Sequence, residues 1–478
     1  MISRIPLLSA VLALASLPVV FSQSAPSCSP PSQFFPQKID HSAASNNQTF
    51  QQQYQVNTKF FTPGGPIFFA QGAETATMGC TEQYSIAAWA EESNGMMLTL
   101  EHRYFGLSLP FGNDSFTNEN IGFLTLDNVL LDAVNFVEWI RSTVPGANDS
   151  KVIVMGGSYG GFLSSTLRIN YPDTFFGSIS SAGPVVSFGP PQTNPTRENF
   201  FDITSTIFTT ETWEGATKIK EGFQELAGFF DSGNFSAIND SLSLCFPPNQ
   251  TADHDTFFIW AASAFGLATQ FSFPFNTGQF LGVETNSLFA SVNMTLAAPT
   301  PLAAINATLW MAYGVAAASE GCLDWSSSAN SVGLETIPFA YIQCAYFNTE
   351  QMDISNRTIF EPTRTLFDRT QACQQQFNVT PPDSDTLMKQ FKFTHDDIVN
   401  STRIVFSSGT YDPTTGVCAQ PSWFPFPVTD LNRSFAQITS GLPHTLETVA
   451  ESPNDPPQAI DARRIQLNTI KAWLGFST

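Results

Sequence analysis

The chain of 478 residues carries 41 Asp and Glu against 20 Lys and Arg, a formal net charge of −21 and a pI near 4.4. Only 13 % of residues are charged, so the acidity reflects scarce Lys and Arg as much as abundant carboxylates; it argues against nucleic acid as a partner and suits an acidic exterior or lumen. Forty-five phenylalanines and a hydrophobic content of 42 % provide more than one compact core needs over about 455 mature residues, so two lobes are expected.

Residues 1–22 read as a signal peptide. Arg4 supplies a positive start, an apolar stretch follows, and Val20 and Ser22 suit the small-residue cleavage site. The expectation is a secreted, extracellular protein or one held in a vacuole- or lysosome-like acidic lumen. No later run reaches about 18 uninterrupted apolar residues, so no membrane span is expected.

Residues 65–70 (G-P-I-F-F-A) and 95–100 (G-M-M-L-T-L) are strand-like, and each leads into polar residues. An amphipathic helix at 128–141 follows, then a β-branched strand at 151–155, a glycine-bounded turn, a helix to about Asn170 and a strand-like run at 176–181. Strands alternating with helices indicate an α/β fold with a parallel, doubly wound sheet. After Pro184 the texture changes. Residues from about 190 to 396 are helical or loop-like, notably 210–230 and 255–271, with many Phe, Ala, Asn and Ser. This stretch reads as a helical lobe at 191–396, inserted between an N-terminal part (23–190) and a C-terminal part (397–478) of one domain, with 190–195 as linker candidate. Sheet-like pattern returns at 403–407, and a helix at 459–474 closes the chain.

Eleven N-x-S/T sequons begin at Asn47, Asn113, Asn148, Asn234, Asn239, Asn249, Asn293, Asn306, Asn356, Asn378 and Asn400, with a twelfth at Asn432. That density leads us to expect N-linked glycans. Seven cysteines (Cys28, Cys80, Cys245, Cys322, Cys344, Cys373 and Cys418) include no C-x-x-C pair. A zinc cluster is therefore disfavoured, and up to three disulfides plus one thiol are expected, with the pairing left open.

The strand at 151–155 runs into Gly156, Gly157, Ser158, Tyr159 and Gly160, which fit the G-x-S-x-G nucleophile elbow of α/β-hydrolases. A turn this tight strains the serine backbone, and glycines remove the flanking Cβ clashes. The following helix aims its N-terminal amides at the reacting carbonyl, where negative charge develops. A glycine-rich turn in any α/β protein is the bland alternative.

In the hydrolase order the acid and the histidine follow the serine on loops after late strands. Of the five histidines, His41 and His102 precede Ser158, while His254 and His395 fall in the helical stretch or at its edge; only His444 lies beyond the returning strand. Asp412 sits where that strand exits, in G-T-Y-D-P. The assignment is Ser158 as nucleophile, His444 as general base and then acid, and Asp412 as the group that fixes the imidazole tautomer. The oxyanion hole then takes the Tyr159 amide and one from Gly72 or Ala73, in the loop of F-F-A-Q-G-A-E.

Four blocks in this order resemble the S28 serine peptidases, a group of prolyl carboxypeptidases, dipeptidyl peptidases and acid prolyl endopeptidases: G-P-I-F-F-A-Q-G-A-E, E-H-R-Y-F-G, G-G-S-Y-G-G and G-T-Y-D-P, with His444 following. The resemblance implies an α/β-hydrolase fold with a mostly helical cap domain inserted before the last strands. It also implies cleavage of peptide or protein substrates after proline at acid pH, with no metal or organic cofactor. Glu74, Glu101, His102 and Arg103 become substrate-binding or site-supporting residues, with a structural network the favoured role for the last three. Thr414 stands where the family commonly has Trp, and Tyr346 where it has an acid. A secreted esterase or lipase, and a catalytically silent glycoprotein of the same fold, are the competing readings; exopeptidase and endopeptidase action both stay open.

Overall fold

One eight-stranded sheet organises the chain. Its strands are β1 (Gln33–Lys38), β2 (Thr49–Asn57), β3 (Ile67–Gln71), β4 (Met96–Leu100), β5 (Val152–Gly157), β6 (Gly177–Ser181), β7 (Ile404–Gly409) and β8 (Phe435–Thr439). Their spatial order is β1-β2-β4-β3-β5-β6-β7-β8. β1, β2 and β4 pair antiparallel, and every pair from β4 to β8 is parallel. The computed structural model describes residues 28–42, 47–186, 199–275, 285–317, 320–326, 336–347, 353–365, 369–380, 384–425 and 430–476. The segment read as a signal peptide and the linker candidate at 190–195 lie outside the described residues.

The parallel strands were legible because both of their faces are covered. β3, β4, β6 and β7 are buried along their whole length, which calls for continuous apolar or small residues rather than alternation. β1 and β2 escaped the sequence reading. They are rich in glutamine, and what makes them strands is pairing: Gln52 Nε2 donates to the Glu101 carbonyl at 2.8 Å and Gln37 Nε2 to Gln52 Oε1 at 3.0 Å. No hydrophobic period announces side chains that are buried by hydrogen bonding.

Helices cover both faces. α1 (Ile86–Ser93) and the terminal helix pack on one side, where Ile86, Trp89, Ile470 and Trp473 meet Phe68, Ile153, Ile179 and Val405. α2 (Leu126–Thr143) and α3 (Tyr159–Asn170) pack on the other, with Phe136 and Phe162 against Phe69 and Val154. α2 begins two residues earlier than expected because the Thr125 side chain accepts from the Asn128 amide and caps it. This is an α/β-hydrolase fold with helices inserted between β6 and β7.

Those helices are α4 (Phe200–Glu211), α5 (Trp213–Ser232), α6 (Phe235–Leu242), α7 (His254–Gln270), α8 (Ser287–Ala297), α9 (Pro301–Ala317), α10 (Thr336–Tyr346), α11 (Arg369–Phe377), α12 (Ser384–Gln390) and α13 (His395–Val399); α14 (Pro457–Leu474) closes the chain. The segment read as helical over 210–230 is broken at Thr212, whose backbone is extended (φ −156°) and whose side chain accepts from the Gly215 amide, starting α5 afresh. The insertion also serves two cores. α4 to α9 enclose their own, around Phe208, Phe223, Phe258, Phe265 and Leu309. Residues of α10 to α13, among them Tyr341, Ile342, Leu387 and Ile398, join the core of the α2–α3 face instead.

Three disulfides, Cys28–Cys80, Cys245–Cys322 and Cys344–Cys373, leave Cys418 as a buried thiol. Each closes a loop of 29 to 77 residues, a length at which cross-linking the unfolded chain contributes about 4 kcal/mol.

Candidate active site

Ser158 occupies the turn between β5 and α3 with φ 56° and ψ −127°, a conformation that costs a non-glycine residue about 1–3 kcal/mol. Its surroundings leave no alternative. A Cβ on Gly156 would fall 2.0 Å from the Gly160 carbonyl oxygen, and one on Gly161 would fall 2.4 Å from that of Ser181. The Ser158 amide donates to the Ser181 carbonyl at 2.9 Å, and its own carbonyl accepts from Gly161 and Phe162. Strand β6 and the first turn of α3 therefore fix the serine backbone, while the N-terminal amides of α3 face the same point.

His444 and Asp412 come together on the loops after β8 and β7. Both are fully buried, and His444 Nδ1 lies 2.7 Å from Asp412 Oδ2. The carboxylate only accepts, so Nδ1 carries the proton and Nε2 presents its lone pair. Asp412 is held in turn: Oδ1 accepts from the Thr414 amide at 2.9 Å and Oδ2 from Thr414 Oγ1 at 2.7 Å. Thr414 thus orients the Asp412 carboxylate. A Cβ on Gly409 would overlap the Leu442 carbonyl at 1.9 Å, which shows how closely the two loops are pressed together. They also meet the elbow, since a Cβ on Gly157 would lie 2.9 Å from Thr445 Cγ2.

The helical lobe reaches the same histidine. The His444 amide donates to the Gln270 carbonyl at the end of α7, at 2.9 Å, and the Phe271 ring stands edge-on to the imidazole at 5.8 Å. Burial disfavours the imidazolium, but the charge and hydrogen bond of Asp412, with smaller effects of Glu74 and Glu447, outweigh it and raise the His444 pKa above the ordinary value.

Glu74 is buried in the loop after β3, and its Oε2 meets no protein hydrogen-bond partner. Burial pushes its pKa up to about 7, opposed by its own backbone amide and by His444. The neighbouring Gly72 cannot serve as an oxyanion donor as expected. Its amide donates to the Leu100 carbonyl at 3.1 Å, so it extends the β3–β4 ladder. Ala73, the other residue expected to offer an amide, adjoins the first turn of α3, its Cβ standing 3.3 Å from where a Cβ of Gly160 would be.

The E-H-R-Y-F-G block builds the floor. All five guanidinium hydrogens of the buried Arg103 are used: Nε and Nη2 hold Asp132 at 2.7 and 2.6 Å, and Nη1 and Nη2 donate to the carbonyls of Ile39, Phe123 and Lys38. No donor is left for a substrate. Glu101 Oε2 accepts from the Leu107 amide and Ser108 Oγ, closing its own loop, and burial raises its pKa to about 7. His102 reaches furthest toward the serine: Nδ1 meets the Arg103 carbonyl at 2.7 Å and Nε2 meets Tyr159 Oη at 3.2 Å. Burial lowers its pKa to about 4, so the ring is neutral with its proton on Nδ1, and Tyr159 donates to Nε2. Tyr346 is no substitute acid; its hydroxyl accepts from the Leu126 amide at the start of α2.

Among the described residues one trio, Cys245, Glu320 and Cys322, lies close enough to share an ion, but its two sulfurs form a disulfide and are not thiolates. No helix among the described residues is long and apolar enough to cross a membrane.

Comparison with known proteins agrees with this architecture. The family model described as serine carboxypeptidase S28 matches residues 37–464. The lysosomal Pro-X carboxypeptidase of Homo sapiens is 28 % identical over 459 residues, spanning 92 % of this chain and 88 % of its own, and that of Bos taurus is 25 % identical over 449 residues, spanning 92 % and 87 %. A protein of Arthroderma benhamiae named "Probable extracellular serine carboxypeptidase" is 31 % identical over 199 residues, 35 % of this chain and 27 % of its own.

Proposed function

Because the chain belongs to the serine carboxypeptidase S28 family, and is therefore a serine peptidase, we propose that it hydrolyses peptides on the carboxyl side of proline, in an acidic medium, through Ser158, His444 and Asp412. The observation that carries the reading is the buried 2.7 Å contact of His444 Nδ1 with Asp412, on a loop that abuts the strained Ser158 turn. Ser158 Oγ attacks the scissile carbonyl as Nε2 of His444 takes its proton. The oxyanion is met by the amides of Tyr159 and Ala73. His444 then protonates the leaving amine, and water activated by the same ring cleaves the acyl-enzyme.

The raised pKa of His444 sets the acid limb of activity, and Glu74 bears on the alkaline one. Below about pH 7 its carboxyl is protonated, which withdraws a charge that would repel the oxyanion and would otherwise help hold His444 as imidazolium. As pH rises through that value the charge returns, so activity falls on the alkaline side. Aromatic side chains around Tyr159, with Phe339 at 6.1 Å and Phe347 at 5.7 Å between ring centres, suit a proline ring. Ten of the twelve sequon asparagines are exposed, in keeping with N-glycosylation of a secreted or lumenal protein.

The test is an assay of wild type and Ser158→Ala on proline-containing peptides blocked at either end, and on a short acyl ester, from about pH 4 to 8. Activity surviving in the variant removes the nucleophile from Ser158. Ester turnover without peptide turnover favours an esterase. The blocked peptides distinguish carboxypeptidase, aminodipeptidase and endopeptidase action.

A further inference from the structure

Three residues beyond His444 lies Glu447, an acidic side chain with no solvent exposure that the reaction scheme does not use. Its Oε1 accepts from Ser181 Oγ at 2.6 Å. Ser181 is the last residue of β6, and its carbonyl takes the hydrogen bond from the Ser158 amide. A continuous path thus runs from the histidine loop, through Glu447 and Ser181, to the backbone of the serine. Both ends of that path are strained: Ser158 has φ 56° and Thr445, between His444 and Glu447, also has φ 56°. Two residues held in the left-handed region need surroundings that over-determine them.

The setting is polar as well as buried. Register pairing puts Ser181, Ser407 and Gln437 side by side on neighbouring strands, facing the same way. Glu447 Oε2, Ser407 Oγ, Gln437 Oε1 and both polar atoms of Gln466 are buried with hydrogen-bonding capacity that no protein group meets. Apolar packing alone does not call for such groups, since each costs free energy when it is buried.

We propose that Glu447 is a positioning residue of the catalytic centre: it ties the His444 loop to the strand end that holds Ser158, and places a second acidic group behind the histidine. The inference rests on the triad reading above. The groups facing His444 are Asp412 from the turn after β7, Glu74 from the loop after β3 and Glu447 from its own loop. Those around Glu447 are Ser181 on β6, Cys418 after β7, and Arg463 on α14. Arg463 donates to the carbonyls of Leu446 and Glu447 and is paired with Asp455 at 2.5 Å. The acid at 447 supports the proton affinity of His444, and its removal lowers it.

The experiment measures kcat and KM against pH for wild type, Glu447→Gln and Ser181→Ala, with Ser158→Ala as the control for the triad itself. Glu447→Gln keeps shape and acceptor while removing the acid. It is expected to lower maximal kcat about tenfold at unchanged KM and to move the acid limb about half a pH unit lower. Ser181→Ala cuts the tie but keeps the acid, so kcat is expected to fall about tenfold with the acid limb in place. A wild-type profile for Glu447→Gln overturns the proposal, as does a loss of activity that follows the folded fraction with the limb unmoved. If Glu447→Gln does not fold, wild-type kcat in Ser181→Ala overturns the tie. Activity retained by Ser158→Ala defeats the triad reading itself, whatever the other variants do.

Discussion

Around Ser158 the constraints come from its own stretch of chain and the next strand, whereas around His444 they come from segments far away in sequence. The serine is fixed by glycines on either side and by β6, which follows α3 directly. The histidine is fixed by Asp412 thirty-two residues earlier and by the α7 terminus at Gln270 and Phe271, in a separate lobe. A strained serine turn can be specified by steric permission over five residues. A histidine buried against a carboxylate needs a wall, and here the insertion supplies it.

The contrast can be broken most severely on the histidine side. Asp412→Asn preserves shape but no longer enforces the tautomer, and kcat is expected to fall about 10⁴-fold with the fold intact by circular dichroism. On the serine side Gly156→Ala drives a Cβ into the Gly160 carbonyl, a backbone atom that cannot yield. At least a hundredfold loss of kcat/KM is expected there, together with a destabilisation of about 3 kcal/mol seen in denaturant midpoints.

Smaller effects separate the two sides further. Phe271→Ala removes the ring against His444 from the lobe side, and should lower kcat about tenfold and stability by about 3 kcal/mol. A variant with wild-type kcat would mean that the lobe does not position the histidine. Glu74→Gln is expected to abolish the fall in activity above about pH 7 and, by removing a charge that raises the His444 pKa, to move the acid limb lower, which pH profiles will show.

Stability should follow pH for the same reason. Glu74 and Glu101 have folded-state pKa values of about 7, raised by burial, so each contributes stability that is full below its unfolded value of 4.5 and is lost as pH rises toward 7. His102, lowered to about 4, works the other way and loses its contribution as pH falls from 6.5. His444, raised above its ordinary value, acts with the two carboxyls, so the protein is expected to be more stable at pH 5 than at pH 7.5 by at least about 3 kcal/mol, which melting temperatures a few degrees apart would register.

Much of this is legible in the residues alone. The order of strands and helices, the serine turn, Asp412 by its exit from a strand and His444 by elimination all follow from local pattern. The Gly72 assignment did not survive, because a backbone amide's partner is set by the neighbouring strand and no side chain announces it. Thr414 was visible only as a departure from the family; its two hydrogen bonds to Asp412 are the kind a D-P-T turn could have signalled, since Asp and Thr commonly close such turns through side chains. Phe271 and Glu447 carried no signal at all.

Sharp turns, strands buried on both faces and titratable residues at strand ends are written in local pattern, because glycine sterics and apolar runs act over a few residues. Tertiary structure alone decided which cysteines pair, how the inserted helices divide between two cores, that Glu74 and Glu447 are buried near the histidine, and that Arg103 has no donor left for a substrate. Those outcomes depend on desolvation and hydrogen-bond partners contributed by residues up to hundreds of positions away, and no local pattern encodes them.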